Sequence, residues 1–136
     1  MAVLIDPSVF ITLERRSEHI DALHELVNEE MAISTVAVTE LLTGTWRADS
    51  PSRQARRAAF VETVIAALLV VPFDLRAART HARLWAIIEQ AGTPIGKQDL
   101  LIAATAIAHD YDLLTDNVSE YLKVPGLVVR RPTWSP

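Results

Sequence analysis

The stretch that decides the fold is Ala2-Val3-Leu4-Ile5-Asp6-Pro7-Ser8. Four apolar residues read as a short buried strand that ends at Asp6. Pro7 then suits the first position of a helix, where its missing N–H has no intrahelical partner to lose. A strand running straight into a helix opens a parallel α/β unit, and the same alternation recurs down the chain. After it, Ile20, Leu23, Leu26 and Val27 recur at helical spacing among Glu18, Asp21, Glu25, Glu29 and Glu30, which predicts a helix from about residue 18 with one buried face. Residues 31–34 read as a second strand, and Thr35 as the N-cap of a helix through Val38, Leu41 and Leu42 that stops near Gly44. The polar segment 48–52, with Pro51, reads as a loop before a long helix from about 52 to 68. Residues 70–73 read as a third strand, and Asp74 as the cap of a helix to Gln90 that Ala91-Gly92 ends. A loop over 92–96 precedes a helix whose Leu100, Ala103, Ala104, Ile107 and Ala108 form one core-facing stripe. Residues 112–115 and 127–131 complete a central parallel sheet of about five strands with helices on both faces.

A chain of 136 residues fits one domain over residues 1–136. With 50% hydrophobic and 22% charged residues it is too apolar to be disordered. The longest apolar run, 64–73, is too short to cross a bilayer, and Asp6 interrupts the continuity a signal peptide needs. The expectation is a soluble, cytoplasmic protein with no membrane partner. The absence of cysteine excludes disulfides, thiolate catalysis and sulfur-based zinc sites, leaving oxygen or imidazole for any metal. His19 and His24 are five apart and share no helix face, so no histidine metal role is expected. No phosphate-binding glycine loop and no nucleophile elbow is present, and Ser8 stands where an aspartyl phosphatase would need a second aspartate. The net charge of −4 does not advertise a nucleic-acid binder, but it describes a sum. Arg53, Arg56 and Arg57, then Arg76, Arg79 and Arg83, then Arg130 and Arg131 are clustered, and each cluster reads as a solvated face or as a local positive surface. Trp46, Trp85 and Trp134 read as core or interface packing ahead of base stacking.

Open parallel sheets bind ligands outside the carboxyl ends of their strands. Asp6 follows the first strand, Glu40 lies in the helix after the second, and Asp116 and Glu120 follow the fourth. Asp99 sits in the first turn of the helix leading to that fourth strand. Singly, each reads equally well as a helix cap or an exposed acid. Jointly, they point to a site at one edge of the sheet. Glu40 has only apolar neighbours in Val36, Ala37, Val38, Leu41 and Leu42, so its carboxylate needs a partner. A hard divalent cation offsets the repulsion of converging carboxylates; Mg²⁺ takes such oxygen ligands, and Mn²⁺ fits the same set. The matching chemistry is metal-assisted hydrolysis of a phosphodiester, which needs no side-chain nucleophile.

Four stretches carry a family resemblance: Leu4-Ile5-Asp6-Pro7-Ser8-Val9-Phe10-Ile11, Thr39-Glu40-Leu41-Leu42-Thr43-Gly44, residues 92–103 (Gly-Thr-Pro-Ile-Gly-Lys-Gln-Asp-Leu-Leu-Ile-Ala) and residues 113–121 (Leu-Leu-Thr-Asp-Asn-Val-Ser-Glu-Tyr). In this order, and over nearly the whole chain, they resemble a PIN-domain ribonuclease of the VapC toxin type; the third followed by the fourth is the specific part. The resemblance implies a Mg²⁺-dependent endoribonuclease that acts on structured RNA such as tRNA or rRNA and inhibits translation. It also implies inhibition by a cognate VapB-type antitoxin and a homodimer. Asp6, Glu40 and Asp99 match the family's three principal acids, with Asp6 and Asp99 as direct metal ligands. The fourth acid stays open: Glu120, before the aromatic Tyr121, fits one subfamily pattern, while many relatives carry aspartate where this chain has Asn117, and Asp116 is an additional acid. Ser8 and Thr115 match the small hydroxyl positions that help hold the carboxylates. Pro7 departs from the threonine usual there, removing a hydroxyl and an N–H beside Asp6, and leaves a catalytically weak RNA- or antitoxin-binding module as the other reading. Arg15, Arg16, Lys97 and the Arg53 to Arg57 cluster are the candidate cations for docking RNA.

Overall fold

Five parallel strands lie in the order β3-β2-β1-β4-β5. They are β1 (Ala2–Ile5), β2 (Glu30–Ser34), β3 (Leu69–Val71), β4 (Asp112–Leu114) and β5 (Val129–Arg130). The helices are α1 (Pro7–Arg15), α2 (Ala22–Leu26), α3 (Thr35–Trp46), α4 (Pro51–Ala67), α5 (Leu75–Ala91), α6 (Lys97–Ala108) and α7 (Val118–Tyr121). The structure is a computed structural model, and it describes residues 2–134. The chain builds outward from β1 through β2 to β3, then returns to the other side of β1 with β4 and β5. That reversal makes the carboxyl ends of β1 and β4 the topological switch point, where a crevice opens in folds of this kind. The register pairs Ile5 with Leu114, so Asp6 and Thr115 leave the sheet side by side.

Val3, Leu4 and Ile5 are fully buried, as a central strand covered on both faces requires. Proline, serine and aspartate set the helix starts: Pro7 and Pro51 occupy first-turn positions, and Ser34, Ser50 and Asp74 each accept from the backbone N–H of the third residue of α3, α4 and α5. Gly92 ends α5 in the left-handed region at φ 68°, where a side chain would be strained.

Several boundaries differ from the sequence reading, each for a local reason. The helix expected from about residue 18 is only the five-residue α2, because α1 closes through a turn with Ser17 at φ 53° and Asp21 makes no side-chain cap. Ile20, Leu23 and Val27 are buried as the spacing implied, while the Leu26 side chain lies outside the described residues. Ser34, not Thr35, caps α3; the Thr35 hydroxyl instead accepts from Phe73 N–H at 3.2 Å and ties the start of α3 to the chain leaving β3. Gly44 lies inside α3, which runs on to Trp46; its helical cost, about 1 kcal/mol, is overridden by the surrounding ladder. The loop before α4 ends one residue sooner than expected, since Ser50 caps it, and the third and fifth strands are shorter than predicted. The buried face of α6 is wider than one stripe: Ile102, Ala103, Ala104, Thr105 and Ala106 are all fully buried, while Ile107 is only partly so. Packing against both α5 and the sheet leaves α6 little exposed surface, and its alanines permit the close approach. Trp46 and Trp85 are exposed at 77% and 51%, so they are not core residues. Among the described residues, no helix is long and apolar enough to cross a membrane.

Candidate active site

Asp6 leaves β1 in extended conformation and turns directly into α1, which fixes its carboxylate at the switch point. It is 5% exposed, and both of its oxygens are engaged. Oδ2 accepts from Ser8 N–H at 3.2 Å and from the Thr115 hydroxyl at 3.1 Å; Oδ1 accepts from the Tyr121 hydroxyl at 2.6 Å. Thr115 has spent its single proton on Asp6, so the 3.2 Å contact between the Ser8 and Thr115 hydroxyls has Ser8 as donor. Backbone N–H groups complete the relay, from Asp116 to Ser8 Oγ at 3.1 Å and from Asn117 to Thr115 Oγ1 at 2.9 Å. The proline at position 7 therefore leaves Asp6 well supplied with donors, drawn from Ser8, Thr115 and Tyr121.

Asp99 stands in the first turn of α6, and its Oδ1 lies 3.1 Å from the same Tyr121 hydroxyl. Burial, together with the charges of Asp6 and Glu120, raises its carboxyl above the ordinary value, although the Tyr121 hydrogen bond works the other way. Gly96, just before α6, matters through its missing side chain: a Cβ there would sit 3.1 Å from Asp99 Oδ2. Glu40, in α3, is exposed and makes no hydrogen bond or ion pair among the described residues. Partial desolvation and the charges of Asp6 and Asp99 raise its carboxyl as well. Its need for a partner thus comes first from partial desolvation and then from the two other acids.

Tyr121 is fully buried, and burial plus two carboxylates push its phenol far above the ordinary value, so it remains a donor at all working pH. Sequence reasoning registered Tyr121 only as an aromatic beside an acid; its hydroxyl was the visible signal. Gly96 reads in the sequence as a loop residue within the third of the resembling stretches, and nothing there marks its effect on Asp99.

The remaining candidates are turned elsewhere. Glu120 Oε1 accepts from Gly96 N–H at 3.0 Å, and Oε2 pairs with Lys123 at 3.1 Å; these two contacts lower its carboxyl. Asp116 is held away from the cluster, with Oδ2 accepting from the Thr12 hydroxyl at 2.6 Å and Oδ1 from Trp134 Nε1 at 2.7 Å. Asn117 contributes its backbone N–H and is exposed.

Among the described residues, no three Asp, Glu, His or Cys side chains stand close enough together to hold an ion. The donor set suits a hard cation held by fewer direct ligands. Asp6 and Asp99 share the Tyr121 hydroxyl, offer only oxygen and, among the described residues, are not neutralised by any lysine or arginine ion pair. One or two carboxylates plus water is the usual way Mg²⁺ is bound.

An α/β domain with acids gathered at its switch point defines a class of metal-using hydrolases, and comparison places it further. The PIN domain family model matches residues 3–123. Ribonuclease VapC1 of Rickettsia felis is 35% identical over 129 residues, 95% of each chain. The tRNA(fMet)-specific endonuclease VapC of Salmonella typhimurium is 31% identical over 85% of this chain and 86% of that one. Among solved structures, DNA-bound VapBC from Salmonella typhimurium superposes with a TM-score of 0.83 at 28% identity, covering 96% of this chain and 98% of that chain. The chain belongs to the PIN-domain family, in its VapC branch.

Proposed function

We propose that this chain is a metal-dependent endoribonuclease, the toxin of a VapB–VapC type toxin–antitoxin module, which cuts structured cellular RNA and so inhibits translation. The observation that carries the reading is the meeting of Asp6 and Asp99 at one phenol, with Glu40 near enough to feel both of their charges. The names of the relatives support a ribonuclease, and the Salmonella relative makes initiator tRNA the first substrate to try. A VapB-type antitoxin is the expected inhibitor, since a solved neighbour at 28% identity is a VapBC complex, and a homodimer in the cytoplasm is the state the family resemblance implies.

Asp6 and Asp99 are the residues that would hold the divalent cation, Mg²⁺ with Mn²⁺ able to replace it. Such an ion polarises the scissile phosphate and lowers the pKa of an attacking water. The chain's own groups do the rest. Ser8 and Thr115 fix the Asp6 carboxylate through their hydroxyl relay, and Tyr121 holds Asp6 and Asp99 at a fixed separation. Glu40, with no hydrogen-bond or ion-pair partner among the described residues, would orient the water and take its proton. Glu120, held by Gly96 N–H and Lys123, steadies the entry of α6 and acts on Asp99 only through its charge. The weaker alternative, a binding module that does not cut, drew on Pro7, and the three donors around Asp6 count against it.

Mg²⁺ and Mn²⁺ titration of the antitoxin-free protein against total RNA, with 5′-end mapping and Asp99→Asn as control, tests the reading. Discrete metal-dependent cuts missing from the variant are expected. Intact RNA in the presence of a folded, cation-binding protein overturns it.

A further inference from the structure

We infer that the groove between α1, α3 and α4, walled by Arg15, Arg56 and Arg57, seats the phosphate backbone of an unpaired RNA segment on its way to the acid cluster; this rests on the nuclease reading above. A cavity of about 210 Å³ has Glu40 in one wall and Arg15 and Arg57 in another. It shares Glu14, Arg57 and Phe60 with an adjoining cavity of about 340 Å³ that adds Arg53 and Arg56. With three lining residues in common, the two cavities adjoin one another between Arg56 and Glu40. In a chain of net charge −4, this is a concentration of positive charge against the overall sign.

The candidate cations differ in what already holds them. Arg53 is gripped by both oxygens of Asp49 at 3.1 Å. Arg16 pairs with Glu18 at 2.6 Å and stacks over Trp134. Arg57 is pinned by the Gly44 carbonyl at 3.2 Å and by Glu14 at 3.5 Å, which fixes its guanidinium in place. Arg15 and Arg56 are exposed and make no hydrogen bond or ion pair among the described residues, so their donors are open to phosphate oxygens. Phe60 lies half-buried along both cavities and offers an aromatic face of the kind on which unpaired bases stack. An A-form duplex is too wide to enter a recess of this size, which selects a single strand.

The test measures binding of a fluorescent single-stranded oligoribonucleotide to the full chain in EDTA, across a salt series, with Asp99→Asn cleavage assayed in parallel. The Arg15→Ala/Arg56→Ala double variant is expected to bind about tenfold more weakly, with a salt slope shallower by about 1.4, since each single-strand phosphate contact contributes about 0.7. Lysine at both positions should restore the slope, because lysine keeps the charge, and Arg76→Ala/Arg79→Ala on α5 should leave it unchanged. An unchanged slope in the alanine double variant overturns the groove. So does a variant that keeps RNA affinity but loses antitoxin binding, which would assign the groove to a protein partner. Loss of cleavage in Asp99→Asn with an unchanged slope separates failure of the groove from failure of the nuclease reading.

Discussion

Tyr121 donates a 2.6 Å hydrogen bond to Asp6 Oδ1 across 115 positions of sequence, joining the carboxyl end of β1 to the short α7 that follows β4. The same hydroxyl lies 3.1 Å from Asp99, so one buried phenol sets the spacing of both proposed cation ligands. Tyr121→Phe keeps the ring's packing and removes only that donor. A hydrogen bond to an ionised, buried acceptor contributes about 1.5–3 kcal/mol, so urea unfolding should show a loss of that size. Cleavage should fall about tenfold as Asp6 and Asp99 lose their common anchor. A variant with wild-type stability and rate would show that the phenol positions nothing.

The raised carboxyls of Glu40 and Asp99 fix the sign of a pH effect in the metal-free protein. Their folded values lie above 4.5 and 3.8, so in the window above those values the folded state binds more protons than the unfolded chain. Stability from these two groups therefore falls as pH rises through the window and stays lower above it. Glu120 runs the other way, with a lowered value whose contribution is present above 4.5 and lost as pH falls. Glu40→Gln should accordingly melt higher than wild type in EDTA at about pH 7, and at the same temperature at about pH 3, where both forms are neutral. Thermal melts at the two pH values check this. A variant melting at or below wild type at the higher pH would mean that Glu40 feels no net repulsion from its neighbours.

Asp116 has the position of an active-site acid and the contacts of a structural one. Its two oxygens take the Thr12 hydroxyl and the Trp134 indole N–H, fastening α1 and the C-terminal segment to the end of β4. Asp116→Ala should cost about 2–3 kcal/mol in urea unfolding by leaving both donors without their acceptor. At temperatures where the variant is folded, cleavage should stay within about threefold of wild type, against near-complete loss for Asp99→Asn. Equal losses in the two variants would return Asp116 to the catalytic group.

The order of elements and the gathering of acids were legible because each depends on local signals: Pro7 and Pro51 at helix starts, Asp74 and Gly92 at the two ends of α5, and apolar runs of strand length. The parallel topology then carries Asp6, Glu40 and Asp99 to one edge whatever the details between them. What was not legible depends on long-range partners. The spacing of Ile20, Leu23 and Val27 reports which side is buried but not how many turns persist, and α2 has only five residues. Neither Thr35 nor Ser34 announces which will cap α3, because the choice rests on Phe73 across the sheet. The direction of Asp116 likewise depends on Thr12 and Trp134, which are remote in sequence.

The fourth acid can be settled by asking what Glu120 acts through. Its carboxylate touches Gly96 N–H and Lys123, and reaches Asp99 only by charge. If its work is to hold the entry of α6, the neutral amide of Glu120→Gln still offers an oxygen to Gly96, and cleavage should fall less than about tenfold. Gly96→Ala should be the harsher change although it alters no charge. The added Cβ would stand 3.1 Å from Asp99 Oδ2, so that carboxylate must give by a few tenths of an ångström at the proposed reacting centre, where misplacement of a ligand lowers the rate. Single-turnover cleavage at saturating Mg²⁺, with circular dichroism to confirm folding, ranks the two variants. The reverse order, with Glu120→Gln the more damaging, would make Glu120 a direct member of the acid cluster and reduce Gly96 to a tolerant loop position.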